Sequence, residues 1–346
     1  MNLAISFLRD NWRKLDLQRL GSPSRLSSVL VTPRFQASSH VVFIILSEDR
    51  REPALVSKVS RLAGISESLE REYANLRKIQ ASRPRGFDSI PYAVTLDDIG
   101  DYPILVETAL VGRQMDPPTV RKDPLNCVKS IFDWLIELQE ATSVNANTEA
   151  DWFERLVERP IHFFQQMVPL DGEEQGLIQK TQDLIAPLRN SALPLGFEHG
   201  DLSHPNVMWL KGGGPGILDW EQAEPRGLPV SDLFFFLTYV AFAKHGAREN
   251  ANHLPAVQAA FFGKDAWARS YVREYAHRTQ IPVYTLTPLF ALCWLRYLVT
   301  QLKRLSGAGN QDRGVGDDAI DWLHGNRYYR IWRYTIEHID AIEWDT

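Results

Sequence analysis

A chain of 346 residues, 44% hydrophobic and 23% charged, carries enough apolar material for one large or two moderate domains, and is neither disordered nor fibrous in composition. Its formal net charge of −5 offers no basic footprint for a nucleic acid polymer or an anionic membrane surface. Two cysteines, Cys127 and Cys293, exclude a disulfide framework and fit a reducing compartment.

The first fifteen residues set Ala4, Phe7, Leu8, Trp12 and Leu15 at helical spacing, without the basic start or small-residue cleavage site of a signal peptide. The most apolar run, Leu233 to Ala243, is too short to span a bilayer, so the expectation is a cytoplasmic protein with no membrane contact. Strands are expected at Ser28–Val31, His40–Leu46 and Ala54–Val59, all rich in β-branched and apolar residues. The segment joining the first two, Thr32 to Ser39, contains no glycine. Lys58 stands in the third strand among apolar neighbours, where a lysine either reaches solvent from a sheet edge or is held by a carboxylate. A helix from Ser66 follows, with Leu69, Leu76 and Ile79 on one face and two acidic candidates, Glu70 and Glu72. Further strands are expected at Ile90–Val94 and Tyr102–Thr108. Helices are expected at Asn126–Gln139, Asp151–Met167 and Glu174–Leu188, the second with a solvated acidic face.

Chemistry concentrates between Phe197 and Asp232. Asp201 and Asn206 lie five apart on a loop that Pro205 keeps from becoming helical. Val207–Leu210 then runs as a strand to the turn at Lys211–Gly216, and Ile217–Leu218 returns as a strand that delivers Asp219. Such a hairpin brings Asn206 and Asp219 together, and one carboxylate and one amide, with room for phosphate oxygens and water, suit Mg2+. Asp201 would stand off the metal, free to accept a hydroxyl proton. A zinc site from His199, His204 and Asp219 is disfavoured, because histidines five apart on a Pro-containing loop lack the helical spacing of H-E-x-x-H and neither cysteine is near in sequence. The remainder is read as helices at Ala256–Phe262, Trp267–Arg278, Pro288–Leu305 and Asp317–Ile342, with Ser306–Asn310 as a break. Tyr271, Arg273, Tyr275, Arg296 and Tyr297 are candidate pocket residues, and Arg296, if buried, needs a partner.

His199-Gly200-Asp201 followed by Asn206 resembles the H-G-D-x-x-x-x-N loop of the aminoglycoside phosphotransferase and choline kinase-like family, the counterpart of H-R-D-x-x-x-x-N in protein kinases. Ile217-Leu218-Asp219-Trp220-Glu221 is similar to that family's I-D-W-E segment. The resemblance implies an α+β, two-lobed protein kinase-like fold, with a small antiparallel-sheet N-lobe over residues 1–111 and a mainly helical C-lobe over residues 112–346. It implies transfer of the γ-phosphoryl group of ATP, with GTP as the other candidate donor, to a hydroxyl of a small molecule of aminoglycoside, sugar or amino-alcohol type. Asp201 would be the base, with Asn206 and Asp219 holding Mg2+. Lys58 would contact the nucleotide phosphates and pair with Glu72, Glu70 being its competitor. Ser38 and Ser39 would offer donors to phosphate, an ordinary surface hairpin being the other reading. Backbone groups from Glu107 to Ala109 would meet the adenine edge, with Gly112 allowing the turn that follows. Asp232 would brace the catalytic loop. Two other functions share these motifs: a nucleotide-binding regulator without transfer activity, and an atypical protein kinase. The short interval from Asp219 to Asp232 has no room for an activation loop and favours a small-molecule acceptor.

Overall fold

The computed structural model describes residues 2–21, 25–32, 40–247, 251–307 and 322–344. Ser38, Ser39 and the beginning of the helix expected from Asp317 lie outside the described residues. The chain forms two compact units, Met1–Gln114 with Pro205–Ala223, and Met115–His204 with Glu224–Thr346.

The first unit is built on an antiparallel five-stranded sheet of β1 (Leu26–Val31), β2 (His40–Ser47), β3 (Leu55–Ser60), β4 (Ala93–Ile99) and β5 (Tyr102–Thr108), in the order β1-β2-β3-β5-β4. Helix α1 (Leu3–Asn11) opens on Asn2, whose side chain accepts the Ile5 amide, and packs Ala4, Phe7 and Leu8 against Leu26, Ile45, Leu55 and Ile104. Helix α2 (Glu67–Ala81) follows β3 and buries Leu69, Glu72, Leu76 and Ile79, a 3–4–3 spacing that sets all four on one face. The strand expected from Ile90 begins instead at Ala93. Gln80 of α2 takes the intervening loop: its amide donates to the Phe87, Ile90 and Pro91 carbonyls at 3.1, 2.8 and 3.3 Å, and its oxygen accepts the Phe87 amide at 2.7 Å.

A second, three-stranded antiparallel sheet joins Gly112–Gln114 to the hairpin Val207–Leu210 and Pro215–Ile217. Gly112 does not serve the turn expected of it. It is required by close approach, since a Cβ there would meet the Trp209 carbonyl oxygen at 2.1 Å.

The second unit is mainly helical. Pro124–Thr142 buries Cys127, Ile131, Trp134, Leu135 and Leu138. Gly172–Ile185 starts on a capping box between Asp171 and Glu174. The segment expected as one helix from Asp151 contains a π-helical turn, Glu154–Glu158, before Arg159–Met167. Ser231–Lys244 is buried along nearly its whole length, with Phe234 packed edge-on to Phe261 and Phe290. A small antiparallel sheet places Pro194–Glu198 between Val144–Asn145 and Glu224–Gly227. These strands escape a sequence reading because they are only two to five residues long and lack alternation. Among the described residues Val283–Leu305 is the one helix long and apolar enough to cross a membrane, yet 72% of its apolar window is buried inside the fold, as in a core helix. Both cysteines are free and buried.

Phe234→Ala removes a fully buried ring from this core and should cost about 3–5 kcal/mol in equilibrium denaturation. A loss below about 1 kcal/mol would show that the helix is not the centre of the unit's packing.

Candidate active site

In the first unit the charges gather around Lys58. The strand register sets Lys58 opposite Leu105 and Val56 opposite Glu107, so Lys58 and Glu107 project from the same face of neighbouring strands. The Lys58 ammonium lies 2.6 Å from each carboxylate oxygen of Glu72, 3.9 Å from Glu107 Oε1 and 3.8 Å from Asp219 Oδ1. Lys58, Glu72 and Glu107 are all buried. Burial alone would lower Lys58, but the carboxylates of Glu107, Glu72 and Asp219 hold it well above its usual range. Burial pushes Glu72 and Glu107 upward while Lys58 pulls both down. Glu70 is not the partner. It is exposed and bonds the Ser66 hydroxyl at the start of α2.

Glu72 also orders the acidic hairpin end. Its Oε1 accepts the Trp220 amide at 3.0 Å, and Asn75, one turn on, donates to the Trp220 and Ala223 carbonyls at 3.0 and 2.9 Å. Between these anchors Asp219 sits at φ 67°, ψ 69°, a left-handed conformation that a side chain adopts only at a cost. The hairpin closes as its sequence requires: the Leu218 amide donates to the Asn206 carbonyl at 2.9 Å, bringing Asn206 alongside the residue that precedes Asp219. Gln114 steadies the same loop through the Pro205 carbonyl at 2.7 Å. The amide oxygen of Asn206 and the carboxylate of Asp219 are hard oxygen donors of the kind Mg2+ takes. Among the described residues no cluster of three or more His, Cys, Asp or Glu could hold a metal alone.

At the expected hinge the Ala109 amide donates to the Ala54 carbonyl at 3.3 Å and the Thr108 amide to the Tyr92 carbonyl at 2.9 Å. The side chain of Glu107, which a reading of backbone roles passes over, belongs to the Lys58 cluster. Strand alternation carries that signal, since Glu107 lies two residues from Leu105, the partner of Lys58.

The second unit holds Asp201. Asp232 accepts the His199 amide at 2.6 Å and the Gly200 amide at 3.0 Å, fixing the backbone just before Asp201. His199 Nδ1 in turn accepts the Asp201 amide at 3.2 Å, and Gly200 adopts φ 76° between them. Burial and the Glu198 carboxylate push Asp232 up to about 7, against the pull of the two amides and Arg296. Arg296 does have its partner: Nη1 lies 2.7 and 2.9 Å from the two oxygens of Glu198. The Asp201 carboxylate accepts the Tyr297 hydroxyl at 3.0 Å and has Arg304 Nη2 at 3.8 Å. Of the pocket candidates, Tyr297 is at Asp201, Tyr275 is core against Phe132, Tyr271 is half-buried in ring contact with Phe132 and Trp267, and Arg273 is exposed. Arg304 had no signal in the sequence beyond a basic residue near the end of an apolar helix.

The fold is protein kinase-like. Among solved structures the chain resembles a thermostable mutant of aminoglycoside phosphotransferase APH(4)-Ia, with 13% identity over 93% of this chain and 98% of that one and a TM-score of 0.50. It also resembles choline kinase LicA from Streptococcus pneumoniae, with 13% identity over 95% and 99% and a TM-score of 0.51. No curated protein sequence matches the chain. The sequence profile of the phosphotransferase enzyme family matches residues 32–275, and the chain belongs to that family.

Removing one partner of a buried ion pair leaves an uncompensated charge, so Lys58→Met and Glu72→Gln should each destabilise the protein by about 3–5 kcal/mol. The double variant should lose clearly less than the sum, by about 1 kcal/mol or more in a denaturation cycle; strict additivity would mean the pair contributes no coupling. Asp219→Gly relieves a left-handed backbone and one like charge, so its stability should equal or exceed that of the parent. A drop of more than about 1 kcal/mol would make Asp219 a structural residue rather than a strained functional one.

Proposed function

We propose that the chain transfers the γ-phosphoryl group of ATP, with Mg2+, to a hydroxyl of a small molecule. The observation that carries this reading is the strained Asp219 held beside the buried Lys58–Glu72 pair, in a chain of the phosphotransferase enzyme family. Lys58 would bind the nucleotide phosphates, Glu72 would fix its ammonium, and the backbone from Glu107 to Ala109 would meet the base. Asn206 and Asp219 would hold Mg2+, which neutralises charge on the phosphates. Asp201 would orient the acceptor hydroxyl and take its proton, the Asp232-braced backbone fixing where that carboxylate stands.

Two further observations support the reading. A related fold, aminoglycoside phosphotransferase APH(4)-Ia, forms a ternary complex with ADP and hygromycin B, at 14% identity and a TM-score of 0.50 over 93% of this chain and 98% of that one. The stretch between Asp219 and Asp232 is occupied by a 3-10 turn, Trp220–Gln222, and a strand, Glu224–Gly227, leaving no activation loop for a polypeptide substrate. Free, buried cysteines suit the cytoplasm, where ATP is supplied.

MgATP at a hundredfold excess over its dissociation constant should stabilise the wild type by about 2.7 kcal/mol, a shift readable by thermal denaturation. Asp219→Ala should abolish the shift. Asp201→Asn should keep it while transfer to any acceptor is lost. Absence of a shift with both ATP and GTP in the wild type would refute nucleotide binding, and a lost shift in a folded Asp201→Asn protein would refute the base assignment.

A further inference from the structure

Tyrosines and an arginine stand at Asp201. Its carboxylate is met by the Tyr297 hydroxyl at 3.0 Å and by Arg304 at 3.8 Å. The Tyr297 ring packs on Tyr328 at 4.5 Å between centroids, and the Tyr328 and Tyr239 hydroxyls stand 2.8 Å apart. Arg327 completes the row. Its Nη2 donates to the Tyr239 hydroxyl at 3.2 Å, and its guanidinium lies 4.8 Å over the Tyr328 ring. Among the described residues no carboxylate comes within ion-pair distance of Arg327, and its near polar neighbours are tyrosine hydroxyls and His253 at 3.5 Å. His253 is held below its usual range by burial and by Arg327 and Arg330, and an imidazole carries no negative charge to offset Arg327. Asp201 is the carboxylate whose charge acts on all three tyrosines.

Among the described residues Arg327 is thus a guanidinium with no carboxylate at ion-pair distance, held instead by a tyrosine hydroxyl and a tyrosine ring. A polyamine acceptor would place an ammonium group against Arg327, a like-charge arrangement that costs binding. A carboxylate or phosphate would find a planar guanidinium already oriented by stacking and by a tyrosine hydroxyl, the geometry that binds such groups best. We propose that the acceptor is an alcohol bearing an acid group, carboxylate or phosphate, with Arg327 and Tyr239 as its anchor and Arg304 beside the reacting hydroxyl. The inference rests on Asp201 as the base. Arg304 alone would serve a transferring phosphate equally well. Arg327 has no direct contact with Asp201 and reaches it only by way of the tyrosines, which suits a group on the acceptor away from its reacting hydroxyl.

The test uses the full chain and matched probes: D-gluconate and D-glycerate, glucose 6-phosphate, the neutral sugar glucose, and the cations glucosamine, kanamycin and choline. Thermal stabilisation by each, with and without MgATP, is read beside ADP release. Stabilisation by one or more of the acids and by none of the cations is expected. Success with the carboxylates alone or with glucose 6-phosphate alone would identify which acid group is read. For the acid that is phosphorylated, Arg327→Gln should raise KM about tenfold or more while kcat changes less than about threefold, with Arg327→Lys intermediate and the MgATP shift intact. If an acid binds without being phosphorylated, its stabilisation should vanish in Arg327→Gln. Stabilisation by the cations, stabilisation by none of the acids, or acid binding that is unchanged in folded Arg327→Gln would each overturn the proposal. Acid binding that depends on Arg327 in a protein that ignores MgATP would leave the anion site standing and refute phosphoryl transfer instead.

Discussion

A lysine ammonium buried in a sheet must be compensated, and in this chain that requirement organises the first unit. Lys58 is enclosed by β3 and its neighbours, and its desolvation is offset by Glu107, Glu72 and Asp219, of which Glu72 presents both oxygens at 2.6 Å. Glu72 can do so because its position on α2 shares a face with Leu69, Leu76 and Ile79, so the apolar contacts that dock the helix also aim the carboxylate. The same oxygen then accepts the Trp220 amide, and Asn75 on the next turn holds the carbonyls that follow. Helix placement, charge compensation and the left-handed backbone at Asp219 are therefore one mechanical system. Neither the ion pair nor the strained aspartate is stable apart from it.

The second unit solves a comparable problem with a carboxylate spent on the backbone. Asp232 accepts two consecutive amides, and His199 accepts a third, so the path of the chain through Gly200 is determined before Asp201 is reached. Beneath that loop Glu198 is occupied by Arg296 in a two-point contact and accepts the Leu228 amide at 3.0 Å. A carboxylate in the role proposed for Asp201 needs such a floor more than it needs an unusual proton affinity, because catalysis of phosphoryl transfer is dominated by positioning and charge.

What could be read in advance follows from how local each signal is. The hairpin from Asn206 to Asp219 was legible because its strands, its glycine turn and its polar ends lie within fourteen residues. The choice of Glu72 over Glu70 came from the family resemblance, and the structure supplies its physical reason, Glu72 sharing the buried face of α2 while Glu70 is exposed. By contrast, the Glu107 carboxylate became part of the Lys58 cluster through strand register, which needs the pairing of β3 with β5 and not merely their existence. The late start of β4 depended on one side chain, Gln80, capturing a loop that Ile90 and Tyr92 had made to look like strand. Gly112 was read as a turn residue when the constraint was the Trp209 carbonyl, on a strand nearly a hundred residues away. Each miss is a contact between elements that local sequence cannot encode.

The two clusters differ in the ligands they can accept, and that contrast separates what a motif determines from what it leaves open. Around Lys58 three carboxyl groups share one ammonium, an arrangement that can accept a divalent cation without leaving a positive excess. In the second unit Arg327 is held by a tyrosine hydroxyl and a tyrosine ring, with no carboxylate at ion-pair distance among the described residues, an arrangement that can accept an anion. In the proposed reading the short motifs at 199–206 and 217–221 specify the chemistry, because proton acceptance and metal coordination need particular atoms at particular spacing. They do not specify the acceptor. The arginine proposed to read its charge, Arg327, comes from a helix whose sequence pattern reports core packing first, and aromatic residues that look like ordinary core hold it in place. Substrate class in such a fold is therefore to be sought in the charged groups that the helices bring together rather than in the loop that carries the motif.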